Sequence, residues 1–507
     1  MPTIFRPLDW QVATGRPVFM ADCSDFPPGM RLHVALADEY FATMLQAPVR
    51  FTADLEPSAS AAARPREALA DGKYVAYLTH PSAPGTILAV SGFHVDDSFR
   101  HMAFPLRDAR SERAFRAATL PPELRPAPIE VSRDGSVPRR LNIVLPSLEK
   151  ARFSGGPNTA LALGQVLAQR GIPVNFISTE TGVEPDVEVL RRHLAVLTGI
   201  EKTAAPVAFV GGDKPEPAVV ISANDIMLGT AWWTVQKFRH VLRELRTPRF
   251  VYLIQEFEPA LYPHSTFYAL AAETYRLDHL PLFNHKFLND YFRANRIGSY
   301  EDPQGTWFDP VMDDRHFFFD EGARRGPQRT LLFYSRPKTA VRNLHEIAFA
   351  ALANLAGEGL LDERWKLYSM GETVGHLYLP RDLVVEELPW MGFEQYAARM
   401  RSCDVLLSLM LSPHPSYPPL EGAASGALVV TNHFANKTRE ELARFSDNII
   451  AVDPSVDGVA DGLRRALARL DDVESRRRAS KVSLPRDWVS ALATPADRIA
   501  AFWHAAK

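Results

Sequence analysis

Three stretches of this chain carry residues in patterns that could do chemistry. In FYSRPKTAVRN (333–343), Arg336, Lys338 and Arg342 follow an apolar run and precede a helix expected to open near Arg342 and Asn343. Cations beside a helix N-terminus hold anions without a metal. A charge-assisted hydrogen bond is worth about 1.5–3 kcal/mol, so two arginines suit a diphosphate. In LLSLMLSPHPSYPPLEGAASGALVVTN (406–432), Glu421 sits on a short helix of small residues between two apolar strands. A carboxylate there can accept both hydrogen bonds of a ribose diol, and Gly422 lets a ligand approach the backbone. His414, between Pro413 and Pro415, can donate to a phosphate or sugar oxygen, with Tyr417 nearby. In QEFEPALYPHS (255–265), Glu256 and Glu258 stand two apart with His264 in the same loop. Such a pair can orient a hydroxyl, act as acid and base or bind a divalent ion. No set of His or Asp ligands lies nearby in sequence, which favours the hydroxyl. Gly155 and Gly156, ahead of a helix, can admit a phosphate or a sugar. Asp225 is expected to face the same space, and Trp232 and Trp233 to lie in the core.

The elements that must position these residues alternate. LNIVLP (141–146), a glycine-led helix (154–171) and IPVNFIS (172–178) form a strand–helix–strand unit. Pro157 in the first turn and Gly171 past the end bound the helix. Further strands are expected at 218–225, 250–255 and 279–284. After a break near 306–329, alternation restarts with strands at 330–335, 365–371, 383–388, 404–410, 427–432 and 448–453. Two such runs predict an α/β protein with two doubly wound domains facing a cleft, where ligands collect at the carboxyl ends of the strands. The domains are expected at 139–310 and 311–490. A helical segment, 491–507, crosses back to the first. Residues 1–138 form an extension of mixed fold and no assignable role. It has strands near 74–78 and 86–90, a helix or linker at 58–70, and a proline-rich linker at 121–139.

At 507 residues the chain fits about three domains. Its 46% hydrophobic and 23% charged residues are ordinary for a globular protein. A net charge of −3 gives no reason to expect nucleic acid. Cys23 and Cys403 are too few for a disulfide framework and fit a reducing compartment. The N-terminus lacks the apolar core of a signal peptide, and no apolar run reaches the ~18 residues of a membrane span. A cytoplasmic protein is expected, with peripheral contact at the inner face of the membrane left open.

The same motifs, SGGPNTALALGQVLAQRG, QEFEPALYPHS, FYSRPKTAVRN and the stretch ending in GALVVTN, resemble those of two-domain GT-B glycosyltransferases of the retaining GT4-type group. The nearest likeness is to WsaF-like rhamnosyltransferases of bacterial surface polysaccharide assembly, over about 140–507. The resemblance implies two Rossmann-like domains and no cofactor. It implies a nucleotide-sugar donor, dTDP-rhamnose being the specific expectation, and a glycan or lipid-linked glycan acceptor. On the donor side it implies Arg336 and Arg342, with Lys338 as rival to Arg342, on the diphosphate, and Glu421, Gly422 and Tyr417 around the nucleotide. Gly155, Gly156, Glu256, Glu258 and His264 fall on the acceptor side. Arg336, Arg342, Glu258 and His414 are the residues expected to act in the transfer. The chain departs from the group's glutamate pair, because Pro413 stands eight residues before Glu421 where the first glutamate belongs. Two alternatives stand beside this reading: a metal-dependent transferase using Glu256 and Glu258, and a non-catalytic glycan-binding protein.

Overall fold

The computed structural model of the chain describes residues 6–11, 16–21, 29–37, 39, 48–55, 61–63, 72–80, 82–95, 122–153, 155–214, 217–324, 328–337, 341–372, 375–389 and 391–506. The chain divides into two compact units, Met1–Leu120 and Pro121–Lys507.

Among the described residues, the first unit is antiparallel β. Met30–Leu36 pairs with Val49–Leu55 on one side and Gly72–His80 on the other, and Ala83–Val95 completes a four-stranded sheet. Leu32, Val34, Val75 and Leu78 are buried. A second, three-stranded sheet joins Arg6–Gln11, Arg16–Ala21 and Ala61–Ala63. Within the stretch read as a helix or linker at 58–70, the described residues Ala61–Ala63 are therefore a strand; the remainder, like Cys23, lies outside the described residues.

The second unit holds two seven-stranded sheets. The first has the order Val207–Gly211, Val174–Ser178, Leu141–Leu145, Ile226–Gly229, Phe250–Ile254, His279–Asn284, Thr306–Phe308, all parallel. The second runs Leu377–Tyr378, Val384–Glu387, Trp365–Gly371, Arg329–Ser335, Val405–Leu407, Leu428–Asn432, Ile449–Val452, parallel except for its first, antiparallel edge strand. Strands such as Leu141–Leu145 and Phe250–Ile254 are buried along their whole length. Helices cover both faces of a sheet built this way, so its strands read as continuous apolar runs. Each sheet has a hydrophobic cluster on either face. In both, the strand order reverses beside the first strand, which makes that edge the place for a ligand.

Helix Gly155–Gln169 lies close on the first sheet because Gly164 has no side chain: a Cβ there would stand 2.3 Å from the Phe176 ring and 2.9 Å from Ile143 Cδ1. The last helix, Ala493–Ala505, packs Ile499, Phe502 and Trp503 into the core of the first sheet. Arg139 pins it, lying 4.0 Å over the Trp503 ring and donating to the Trp503 and Ala506 carbonyls at 2.7 Å each. The proline-rich stretch expected to be a linker is partly strand. Ile129–Ser132 pairs in parallel with Val219–Ser222, and Ala127 and Ile129 are buried. That pairing also corrects the strand expected at 218–225: Val219–Ser222 stands outside the main sheet, and Ile226–Gly229 takes the place inside it. Among the described residues no helix is long and apolar enough to cross a membrane.

Candidate functional site

The carboxyl ends of the two sheets meet across a seam. From the first sheet, the segment after Phe250–Ile254 brings Glu256, and the segment after His279–Asn284 brings His285. From the second sheet, the loop after Arg329–Ser335 brings Arg342, the one after Val405–Leu407 brings Ser412 and His414, and the one after Leu428–Asn432 brings Lys437. Arg342 Nε lies 3.3 Å from Glu256 Oε2. The Ser412 hydroxyl donates to Glu256 Oε1. Lys437 is fully buried, its ammonium donating to the Met410 carbonyl at 2.9 Å. Burial pushes Lys437 down to about 7, against the pull of Glu256. Asn284 donates to the Tyr417 hydroxyl at 3.2 Å, and Asn436 to the Phe287 carbonyl at 2.8 Å, so neutral contacts flank the charged ones.

Two histidines face each other beside this cluster, ring centres 6.2 Å apart. Each accepts a backbone N–H at Nδ1: His414 from Ser416 at 3.0 Å and His285 from Phe287 at 3.1 Å. That places the neutral ring's proton on Nε2 in both. Among the described residues neither Nε2 has a hydrogen-bond partner; His285 Nε2 lies 3.3 Å from Asp309. Burial pushes His414 down to about 3 and His285 well below its ordinary value. His285 (φ 99°) and Ser416 (φ 69°) hold left-handed backbone. Such strain is concentrated where surrounding structure over-determines the chain.

Arg336 follows directly on its strand, its stem against Gly371, where a Cβ would come within 3.0 Å of Arg336 Cγ. Lys338 lies outside the described residues. Arg342 is not at the N-terminus of a long helix. It lies on the short 3-10 turn Val341–Asn343, and Leu344, with positive φ, separates it from helix His345–Gly357. Asn343, beside that break, donates to the Leu409 carbonyl at 2.7 Å. Glu421, on helix Tyr417–Ala424, accepts from the Tyr396 hydroxyl at 2.5 Å, and burial pushes it up to about 7.

Several expected roles change. Glu258 belongs to the fold of the first domain: its Oε2 accepts the Trp232 N–H at 2.7 Å and the Tyr252 hydroxyl at 3.2 Å. It holds the start of helix Trp232–Phe238, and burial pushes it up to about 8. Glu256 and Glu258 thus point to different partners and do not form a pair. Gly422 serves packing rather than ligand approach, since a Cβ there would meet Leu406 Cδ2 at 2.6 Å. Asp225 lies at the amino end of Ile226–Gly229, away from the seam, accepting from the Arg140 and Ser222 N–H groups and the Asn142 amide. Trp232 is fully buried, as expected, whereas Trp233 is only half-buried. His264 is exposed and set edge-on to Tyr268. Gly155 and Gly156 do open their helix; a Cβ would stand 3.7 Å from the Tyr417 ring at the first and 3.5 Å from the Gln255 amide at the second. A recess of about 330 Å³ lined by Ser132, Arg133, Asn224 and Arg246 lies at the opposite end of the first sheet and holds none of these residues.

Sequence reasoning missed Lys437, His285 and Ser412. The signal was available for His285, which follows directly on the end of an apolar strand, as Arg336 does.

Two doubly wound domains with charged residues meeting at their carboxyl ends form the two-domain architecture of the GT-B fold. Solved structures of Anabaena Alr3699/HepE share that fold. The form in complex with UDP aligns at a TM-score of 0.51 and 13% identity, covering 71% of this chain and 100% of that one. The form with UDP and glucose aligns at 0.50 and 13%, covering 73% and 100%. Residues 140–286 match the WsaF N-terminal domain and residues 329–464 the WsaF C-terminal domain, in that order; the chain belongs to the WsaF family. It is also 34% identical over 256 residues to the O-antigen biosynthesis protein RfbC of Myxococcus xanthus. The match takes in 50% of this chain and 19% of that longer protein.

Proposed function

We propose that the protein transfers a sugar from a nucleoside-diphosphate donor to a growing surface glycan, with retained anomeric configuration and without a metal ion. Rhamnose from dTDP-rhamnose is the donor the family likeness favours. The role of the Myxococcus relative in O-antigen biosynthesis supports a polysaccharide acceptor, and the nucleotide in the HepE complexes supports a nucleotide sugar. The observation that carries the reading is the gathering of Arg342, Lys437 and Glu256 on one seam between the carboxyl ends of two sheets. Cations fixed there neutralise charge on a leaving diphosphate at no reorganisation cost when the bond breaks, which lowers the barrier. Arg336 and Arg342 take this part. Glu421 accepts from the donor ribose, and the Nε2–H of His414 donates to a sugar or phosphate oxygen. Glu256 orients the acceptor hydroxyl.

In the transfer, the acceptor oxygen bonds to the anomeric carbon on the face the phosphate leaves. The carbon–phosphate oxygen bond breaks, and the acceptor proton passes to a phosphate oxygen of the departing nucleoside diphosphate. Closure of the seam excludes water from this step. The divergence of Glu256 from Glu258 speaks against a metal held between them. Transfer from dTDP-rhamnose, followed as released dTDP in excess EDTA, tests the reading. Wild type turns over and Arg336→Ala loses at least a hundredfold. Equal rates for the two proteins discard the diphosphate site, and loss of wild-type activity on chelation discards metal independence.

A further inference from the structure

Arg342 and Lys437 come from different loops of the second domain, yet both lie at the seam that one carboxylate of the first domain enters. Glu256 Oε2 lies 3.3 Å from Arg342 Nε, and Ser412 holds the other oxygen. Lys437 is buried to 0% exposure on a loop at the same sheet edge. Its ammonium donates to the Met410 carbonyl at 2.9 Å, two residues from Ser412, and the charges of Glu256 and Arg342 both reach it. Arg342 Nε is buried without a hydrogen bond of proper geometry despite its ion pair. A buried lysine with one neutral acceptor is costly unless an anion faces it. Glu256 is the anion whose charge reaches it, and a single carboxylate, already ion-paired with Arg342, is a poor match for two cations that a diphosphate, with several oxygens, would satisfy at once.

We infer that Lys437 is a further binding residue of the donor pocket, and that the Glu256 carboxylate holds there the place a donor phosphate takes. A nucleoside diphosphate then enters by exchange. Its phosphate oxygens accept from Arg342 and Lys437, Glu256 leaves the guanidinium, and the freed carboxylate turns to the acceptor hydroxyl. Donor binding and acceptor orientation become one event, so the carboxylate is released only when a donor is present. This rests on the proposed donor site and adds to it a competitor and a second cation.

The test measures affinities for dTDP, UDP and inorganic pyrophosphate by calorimetry on the full chain. Glu256→Gln removes the competing charge and should tighten binding about tenfold while transfer falls. Ser412→Ala, which keeps every charge, should tighten it two- to threefold, roughly the effect of one weakened hydrogen bond. Lys437→Met should weaken binding at least tenfold, and Lys437→Arg should recover part of it, which a merely structural lysine would not do. Unchanged or weaker binding by Glu256→Gln, or unchanged binding by Lys437→Met, overturns the inference. If in that case wild type binds dTDP and Arg342→Ala loses it, the donor site itself stands. If neither wild type nor Glu256→Gln binds any of the three probes, both the donor site and the exchange fall.

Discussion

Glu258→Gln separates a carboxyl that holds the fold from one that does chemistry. Its Oε2 accepts the Trp232 N–H and the Tyr252 hydroxyl inside the first domain. Burial raises it from 4.5 to about 8. The native carboxyl therefore keeps its proton while the unfolded chain has released its own. Between pH 4.5 and about 8 the folded state binds more protons, so this group's contribution is full below 4.5 and is lost as pH rises through about 8. The slope within that window is about 1.4 kcal/mol per pH unit. Glutamine keeps an acceptor for Trp232 and cannot ionise. The variant should match wild type near pH 5 and exceed it at pH 8 by an amount on the order of 3–4 kcal/mol. Urea unfolding at matched ionic strength, in steps from pH 5 to 8, measures the difference, and sugar transfer at pH 7 should stay within a few-fold. A stability difference that does not change with pH would refute the protonated, buried carboxyl. A hundredfold loss of transfer at unchanged stability would put Glu258 back among the reacting groups.

Gly422→Ala drives a methyl to 2.6 Å from Leu406 Cδ2; overpacking of this kind costs about 1–3 kcal/mol, read as a lowered thermal midpoint. Arg476, 1% exposed, donates to Asp404 and to the Gly426 and Leu470 carbonyls. Arg476→Ala should destabilise by about 3–5 kcal/mol in denaturant unfolding, because Asp404 is left buried with one partner fewer. His414, depressed to about 3, adds stability that grows as pH rises from 3 towards 6.5. His414→Asn, which keeps an acceptor for the Ser416 N–H, should flatten that limb of the acid-unfolding profile.

The sequence by itself determined the two α/β domains. Apolar runs such as FVYLI and LVVTN read as buried strands because parallel sheets covered on both faces leave no polar side to alternate with. It also placed Arg336, Glu256, His414 and Glu421 after strands, where a doubly wound sheet gathers its functional groups. The antiparallel extension was less legible: strands near 74–78 and 86–90 stood out, while Arg6–Gln11 and Ala61–Ala63 carry too little pattern to announce their pairing. Only the tertiary structure decided which carboxylate faces the seam. Glu256 and Glu258 are two residues apart in one loop, yet the turn Glu258–Leu261 rotates the second inward to cap a helix and leaves the first to Arg342. Lys437 and Arg342 are 95 positions apart and reach the same seam from strands that are not neighbours in sequence. Local pattern records burial and period, but which charges converge depends on the order of strands across the sheet. That order is set by long-range packing of both faces.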